Sequence, residues 1–270
     1  MNLNILMLLY PLIGVIAGFF SGLLGLGGGL IIVPCLMITF PLLGIVPSIH
    51  LAIGTSLATI IITLLSSANT HLRRGNQALI KSLIKRLIPG IMIGTLLGSL
   101  LAKCLSSGYL TLVFGIVTWL LALRILFIRS SSQTTDVEWH LPKTFVLTCV
   151  NILIGGIAAL MGIGGGGFMV PFLQHCQVPI RIAIPVASIT GIPVSIIGTI
   201  SYVLLGIHDS AMPPFSTGYI YWPAFIGITL TSIFAAPVGA KLAHKLSPTL
   251  LRWIFAFVLL VIGTKMIFFA

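Results

Sequence analysis

Two glycine-rich segments of this 270-residue chain share one pattern. The first reads GLGGGLIIVP over residues 25–34, and the second reads GIGGGGFMVP over residues 162–171. Clustered glycines break a helix and leave backbone N–H groups free to bind an anion, above all where a short helix begins. The alternative is that these glycines only allow helices to pack closely. The candidate anion-binding glycines are Gly25, Gly27, Gly28, Gly29, Gly162, Gly164, Gly165 and Gly166.

Four hydroxyl side chains in apolar segments could donate hydrogen bonds to the oxygens of the same anion. These residues are Thr55, Ser56, Ser188 and Thr190. The alternative for each is a hydrogen bond to a carbonyl of the preceding helical turn. Two histidines at the ends of an apolar segment, His50 and His71, are candidates for carrying a proton near neutral pH.

The composition predicts where these residues lie. Hydrophobic residues make up 58% of the chain and charged residues only 6%, whereas an ordinary soluble domain is about 25% charged. Apolar runs such as residues 51–68, 110–128 and 182–205 approach the roughly 20 residues that a membrane-spanning helix needs. The sequence therefore predicts an all-α polytopic membrane protein with the lipid bilayer as its surroundings.

The net charge of +11 is explained by topology rather than by a nucleic-acid partner. Basic residues are concentrated in the segment 73–86, which we expect to be a loop. Cytoplasmic loops carry an excess of Lys and Arg, so this loop is expected on the cytoplasmic side. The five residues are Arg73, Arg74, Lys81, Lys85 and Arg86.

The chain contains an internal repeat. Residues 98–127 align with residues 239–268 at a constant offset, and the two glycine-rich segments also correspond. We predict a first membrane repeat over residues 1–129, a polar cytoplasmic linker over 130–143 and a second membrane repeat over 144–270. Each repeat has about four membrane elements.

The distribution of charge predicts that the two repeats are inverted. The segment 73–86 has five basic residues, whereas its counterpart 206–218 has none. The bias is reversed before the last helix, where the segment 241–252 of the second repeat contains several basic residues. Each repeat would then open with a glycine-broken helix or hairpin, followed by three spans. The alternative is eight single spans with parallel halves.

The acidic residues limit the class of function. None of the predicted spans contains Asp or Glu, so the usual carboxylate site for a cation is missing and no metal or cofactor is expected. The segment GFFSG, residues 18–22, suggests an intramembrane serine hydrolase as an alternative. A nucleophile elbow requires Gly-x-Ser-x-Gly, which this segment lacks, so we expect no enzyme.

Several motifs together resemble one known family. They are the two glycine-rich segments, AIGTSL at 52–57, RRGN at 73–76 and PGIMIGTLLG at 89–98. These residues resemble the TauE/SafE family of sulfite exporters, also called four-toluene-sulfonate uptake permeases, over nearly the whole chain.

The resemblance implies a multi-pass protein of the bacterial inner membrane that moves small anions. The expected substrates are sulfite, sulfonates or other small sulfur-containing or organic anions, and we expect proton-linked export. The alternative is a transporter for an amino acid or a neutral solute. The sequence does not predict the oligomeric state.

Overall fold

The computed structural model describes residues 8–24, 27–46, 48–72, 77–127, 141–209, 211–243 and 248–269. These residues form ten helices and one antiparallel two-stranded hairpin. The helices are α1 (Leu9–Leu24), α2 (Gly29–Leu42), α3 (Ile49–Leu72), α4 (Gln77–Cys104), α5 (Ser107–Phe127), α6 (Thr144–Met161), α7 (Gly166–His175), α8 (Ile180–Gly206), α9 (Trp222–Ala243) and α10 (Pro248–Phe269). The strands β1 (Ser216–Thr217) and β2 (Ile220–Tyr221) lie between α8 and α9.

Six of these helices are long and apolar enough to cross a membrane, namely α3, α4, α5, α6, α8 and α9. The prediction of an all-α polytopic membrane protein is therefore confirmed. Helices α1 and α2 are apolar but shorter than the other candidates. Most of the predicted linker, residues 130–140, lies outside the described residues.

Both glycine-rich segments interrupt a helix as predicted. Helix α1 ends at Leu24 and α2 begins at Gly29, while α6 ends at Met161 and α7 begins at Gly166. Each second helix begins after a glycine in the left-handed backbone region, where a Cβ would be strained.

Helices α1 and α2 form a hairpin. The ring of Tyr10, near the start of α1, and the ring of Phe40, near the end of α2, both pack edge-on against Tyr221 at centroid distances of 6.2 and 6.0 Å. Gly28, just before α2, contacts the backbone of Ala17, near the middle of α1. The chain therefore runs along α1 and returns along α2, so its first apolar segment is not a single span.

The prediction of one basic loop over residues 73–86 is wrong in its second part. Helix α4 begins at Gln77, so three of the basic residues lie on its first turns with exposed side chains; they are Lys81, Lys85 and Arg86. Ile80, Leu83 and Leu87 are buried on the other side of the same turns. Their spacing of three and four residues makes this end of α4 an amphipathic helix rather than a loop.

The helices that the predicted repeat pairs with each other run in opposite directions. Gly54, near the start of α3, packs against Tyr202, near the end of α8, and Leu64 of α3 packs against Gly191 of α8. This order is that of an antiparallel pair. Parallel repeats would place α3 and α8 in the same direction, so the packing favours the inverted arrangement over parallel halves.

The last helices of the two repeats show the same relation. Gly115 of α5 lies against Ile267 of α10, and Trp119 of α5 lies against Gly263 of α10. Residue numbers therefore rise along α5 as they fall along α10. Two independent pairs of equivalent helices thus support inversion.

Small residues join the repeats to each other. The backbones of Gly14 and Gly18 in α1 lie against Ile228 and Ser232 in α9, without room for a side chain on either glycine. Helices α4 and α6 make the corresponding contact in the other direction, where Gly98 lies against Gly156. The first helix of each repeat therefore packs on the fourth helix of the other.

The inverted arrangement predicts the side of the membrane on which each of the two loops flanking α9 lies. A reporter fused after Gly206 should be active only in the periplasm, and one fused after Ser247 only in the cytoplasm. Paired alkaline phosphatase and green fluorescent protein fusions measure both locations. The reverse result for the two sites would restore eight single spans with parallel halves.

Candidate functional site

The two helix breaks are tight turns made by glycines with positive φ. In the first tip, residues 27–29, Gly27 and Gly28 have φ angles of 79° and 82°. In the second tip, residues 162–166, Gly162 and Gly165 have φ angles of 65° and 74°. Residues with a Cβ rarely adopt this conformation, which is why the segments are glycine-rich. Gly25 lies outside the described residues.

The tips of the two repeats contact each other. Gly29 lies against the carbonyl oxygen of Gly162 and the Cα atom of Ile163, so a Cβ at residue 29 would overlap the second tip. Ser56 of α3 donates a hydrogen bond of 2.9 Å to the same carbonyl of Gly162. The structure thus brings together three of the predicted site residues, Ser56, Gly29 and Gly162.

The contact lies near the middle of the two long helices α3 and α8. Ile60, close to the midpoint of α3, packs against both Gly27 and Gly164. Gly191, close to the midpoint of α8, lies against the carbonyl oxygen of Gly164. Because α3 and α8 are both long enough to cross a membrane, the tips lie at about half the depth of these spans.

The N-terminus of α7 has several N–H groups without a partner. Gly165 donates to the Ile163 carbonyl at 2.7 Å. The N–H groups of Gly164, Gly166 and Gly167 donate to no acceptor among the described residues, although all three glycines are buried. No side chain caps this helix. Buried N–H groups usually have a partner, so these three donors could bind an acceptor that enters the site.

Three of the predicted hydroxyls donate within their own helices. Thr55 donates to the Leu51 carbonyl at 2.7 Å, and Ser188 donates to that of Ile184 at 3.0 Å. Thr190 donates to the carbonyls of Val186 and Ala187. A hydroxyl has only one hydrogen to donate, so these contacts compete with any anion. Their role as anion donors stays a prediction.

Sequence reasoning missed Ser195, which lies next to the second tip. Ser195 of α8 is fully buried, and its Oγ atom has no hydrogen-bond partner in the described part of the chain. This atom lies 3.3 Å from the position that a Cβ on Gly164 would occupy. A signal existed in the sequence. AIGTSLATI at residues 52–60 aligns loosely with IPVASITGI at 184–192, and extending this alignment pairs Thr63 with Ser195.

The predicted proton carriers are far from the tips. His50 stacks at 5.4 Å on Tyr219, and its Nε2 atom lies 2.9 Å from the Ala102 carbonyl. Because a carbonyl only accepts, Nε2 carries the proton in this contact. The separation of His50 from Ile60 along α3 is about 15 Å at the rise of an α-helix. His71 belongs to α3, but its side chain lies outside the described part of the chain.

A carboxylate accepts a hydrogen bond from the tyrosine that stacks on His50. Tyr219 donates a hydrogen bond of 3.0 Å to Asp209. Burial, this hydrogen bond and the negative charge of Asp209 raise the pKa of Tyr219 to about 12. Tyr219 therefore stays protonated at neutral pH and keeps donating to Asp209, outside the candidate spans.

The serine considered as a nucleophile has no activating base in the described structure. Ser21 of α1 is buried, and its Oγ atom has no hydrogen-bond partner among the residues described. A catalytic serine needs a base within hydrogen-bond reach. The geometry around Ser21 therefore gives no support to the hydrolase alternative.

The fold and the two tips define a class of protein. Broken helices from two repeats that meet near mid-membrane depth, between long helices, are typical of secondary transporters. Comparison with known proteins leads to the same class. Residues 10–266 match the family model described as "Sulfite exporter TauE/SafE", and the chain belongs to this family.

Relatives from distant organisms are named as transporters. A "Probable membrane transporter protein" of Haemophilus influenzae is 37% identical over 262 residues, which cover 96% of this chain and 97% of the relative. A relative from Methanocaldococcus jannaschii, also named a probable membrane transporter protein, is 30% identical over 97% of this chain and 96% of its own. One from Bacillus subtilis is 25% identical, with 95% of each chain covered. No solved structure matches this chain.

The contact between the tips predicts the effect of a single methyl group. Gly29→Ala should lower the stability of the purified protein by about 1–3 kcal/mol, since overpacking displaces the second tip, and should reduce transport. Gly156→Ala is the control, because a Cβ there would meet only the Gly94 carbonyl at an ordinary 3.4 Å. Thermal unfolding in detergent measures the difference. Equal melting temperatures for the two variants would contradict the tip contact.

Proposed function

We propose that the protein exports small sulfur-containing or organic anions, such as sulfite or sulfonates, across the bacterial inner membrane. The observation that carries this proposal is the group of buried N–H donors at Gly164, Gly166 and Gly167, which have no partner among the described residues. A helix N-terminus with free N–H groups attracts negative charge. The family, whose model is described by sulfite export, supports the same class of substrate.

The acidic residues support an anion rather than a cation as substrate. The three acidic residues of the chain are Asp136, Glu138 and Asp209, and none lies in a candidate span. Sites for metal ions or sodium inside membranes usually include a carboxylate. The spans therefore offer a cation no carboxylate, and the N–H groups at the start of α7 oppose positive charge.

Transport requires the contact between the tips to open toward each side in turn. In inverted repeats, two opposite conformations follow when the repeats exchange their arrangements around a fixed central site. The glycine contacts of α1 with α9 and of α4 with α6 supply smooth surfaces along which such movement can occur. The anion at the second tip would then be reached from one side at a time.

The exposed basic residues at the start of α4 would draw anions to the cytoplasmic mouth. Lys81, Lys85 and Arg86 all have exposed side chains on the first turns of this helix. Clustered charges of one sign raise the local concentration of the opposite ion. This arrangement suits a protein that collects its substrate in the cytoplasm.

Proton linkage is proposed to proceed without a membrane carboxylate. A weak acid such as sulfite can carry its own proton, and His50 or His71 could relay one near neutral pH. His50 is already in contact with Tyr219, which is bonded to Asp209. The proton would move on the substrate itself, or through His50 or His71.

Flux measurements in proteoliposomes test the proposal. Sulfite and methanesulfonate should both be transported, and sulfite flux should respond to an imposed pH gradient. Replacing sodium by potassium should leave the flux unchanged, because the spans hold no carboxylate for sodium. Protein-free liposomes control for leakage of neutral acid.

Two results would contradict this function. Strict sodium dependence would exclude the proposed proton linkage. Transport of a neutral amino acid or a cation, with no flux of either anion, would exclude anion transport itself. Ser21→Ala tests the hydrolase alternative. A hydrolase would lose its activity when its nucleophile is replaced, whereas a transporter would keep its anion flux.

A further inference from the structure

We propose that the second tip is a seat for one monovalent oxyanion and that Ser195 is its side-chain donor. This inference rests on the proposed anion transport and narrows it to a charge state and a residue. It begins from two sets of polar groups that have no partner among the described residues: the N–H groups of Gly164, Gly166 and Gly167 at the second tip, and the buried hydroxyl of Ser195 beside Gly164.

One face of α8 holds Ser195 against the second tip. Gly191 lies against the Gly164 carbonyl, and Val194 packs 3.5 Å from the Cβ position of Gly165. Ser195 Oγ lies 3.3 Å from the Cβ position of Gly164. Residues three and four apart share a helix face, so the close approach at Gly191 brings the hydroxyl to the start of α7.

These unpartnered groups call for a ligand with acceptor atoms. Each buried donor without a partner carries a desolvation cost that a bound acceptor would remove. In the proposed complex, the three N–H groups and the hydroxyl supply four hydrogen bonds to one ligand. A sulfonate or hydrogen sulfite offers several oxygens on one small group, whereas a halide offers a single atom.

No basic side chain among the described residues hydrogen-bonds the glycines of the second tip, and this sets the preferred charge. In the described part of the chain, Arg124 is the basic residue that hydrogen-bonds α7, and it donates to the Pro171 carbonyl at 3.5 Å from an exposed position. The N-terminus of a helix supplies only about half of a positive charge. Neutral donors and this dipole can compensate a single negative charge, while a buried dianion would remain undercompensated.

The first repeat lacks the equivalent donor. Thr63, the counterpart of Ser195 in the repeat, donates to the Thr59 carbonyl at 3.1 Å and contacts the Ser232 hydroxyl at 3.2 Å. Its single hydrogen is therefore already used. The two repeats differ in chemistry at this position, and the proposal is one seat per chain, at the second tip.

A pair of tetrahedral anions of similar size tests the charge preference. Methanesulfonate carries one negative charge and sulfate carries two. Purified protein should be stabilised against thermal unfolding by methanesulfonate at concentrations where sulfate, at matched ionic strength, has no effect beyond that of salt. Stabilisation by sulfate at equal or lower concentration would overturn the monovalent preference.

Two matched serine substitutions test the role of Ser195. Ser195→Ala should weaken methanesulfonate binding about 10- to 100-fold, which is the value of one hydrogen bond to a charged group. Ser99→Ala is the control, because Ser99 is equally buried but donates to the Thr95 carbonyl of its own helix at 2.8 Å. This variant should bind like the unmodified protein.

The outcomes separate the two levels of the proposal. If the unmodified protein neither binds nor transports any tested anion, the proposed function fails. If it binds methanesulfonate and Ser195→Ala binds equally well, anion transport stands and the seat at Ser195 is wrong. Should Ser195→Ala fail to fold, Ser195→Cys retains the volume with a much weaker donor, and undiminished binding by that variant would equally overturn the assignment.

Discussion

The contact between two broken helices at the centre of the bundle is the constraint on which the rest of the structure depends. Hydrocarbon cannot hydrogen-bond to a polypeptide, so a helix break at this depth must be covered by protein or open onto a water-lined cavity. Helices α3 and α8 provide this cover: Ser56 binds the Gly162 carbonyl and Gly191 packs on Gly164. The long helices are therefore required where they are because the tips would otherwise be unstable.

Close packing of small residues extends this arrangement to the outer helices. Transmembrane helices have no hydrophobic driving force between them in lipid and associate through van der Waals contacts at small side chains. Gly14 and Gly18 allow α1 to lie on α9, and Gly98 and Gly156 join α4 to α6. These contacts connect one repeat to the other, so movement of a tip can be transmitted across the boundary between repeats.

The two repeats share a packing pattern but differ in their polar details. Thr63 has its hydrogen bonded while Ser195 does not, and the β-hairpin that follows α8 packs on the other repeat, where the N–H of Tyr221 donates to Thr55 at 3.0 Å. Similar packing in the two halves would allow two conformations of similar energy, which alternating access requires. The difference between Thr63 and Ser195 would confine the proposed anion site to one half.

The sequence by itself determined the surroundings, the helix breaks and the family. Composition alone excluded a soluble fold, because repeated apolar runs of about 20 residues are typical of helices that cross a bilayer. The helix breaks could be predicted because glycine tolerates the left-handed backbone conformation that such turns need. The prediction of a loop is wrong for the second part of the basic segment 73–86. Its charges suggested a loop, whereas Ile80, Leu83 and Leu87 form the buried side of a helix. The charge of a residue is visible in the local sequence, but its burial depends on which distant segments pack against it.

Only the tertiary structure decided which polar groups are free. Ser188 and Ser195 stand on the same helix in equally apolar sequence, yet one hydroxyl is bonded to Ile184 and the other has no described partner beside Gly164. No local pattern distinguishes them, because a serine's partner is set by rotamer and by neighbours from distant segments. The meeting of Gly29 with Gly162 is a contact of the same kind, decided by how two repeats pack against each other in space.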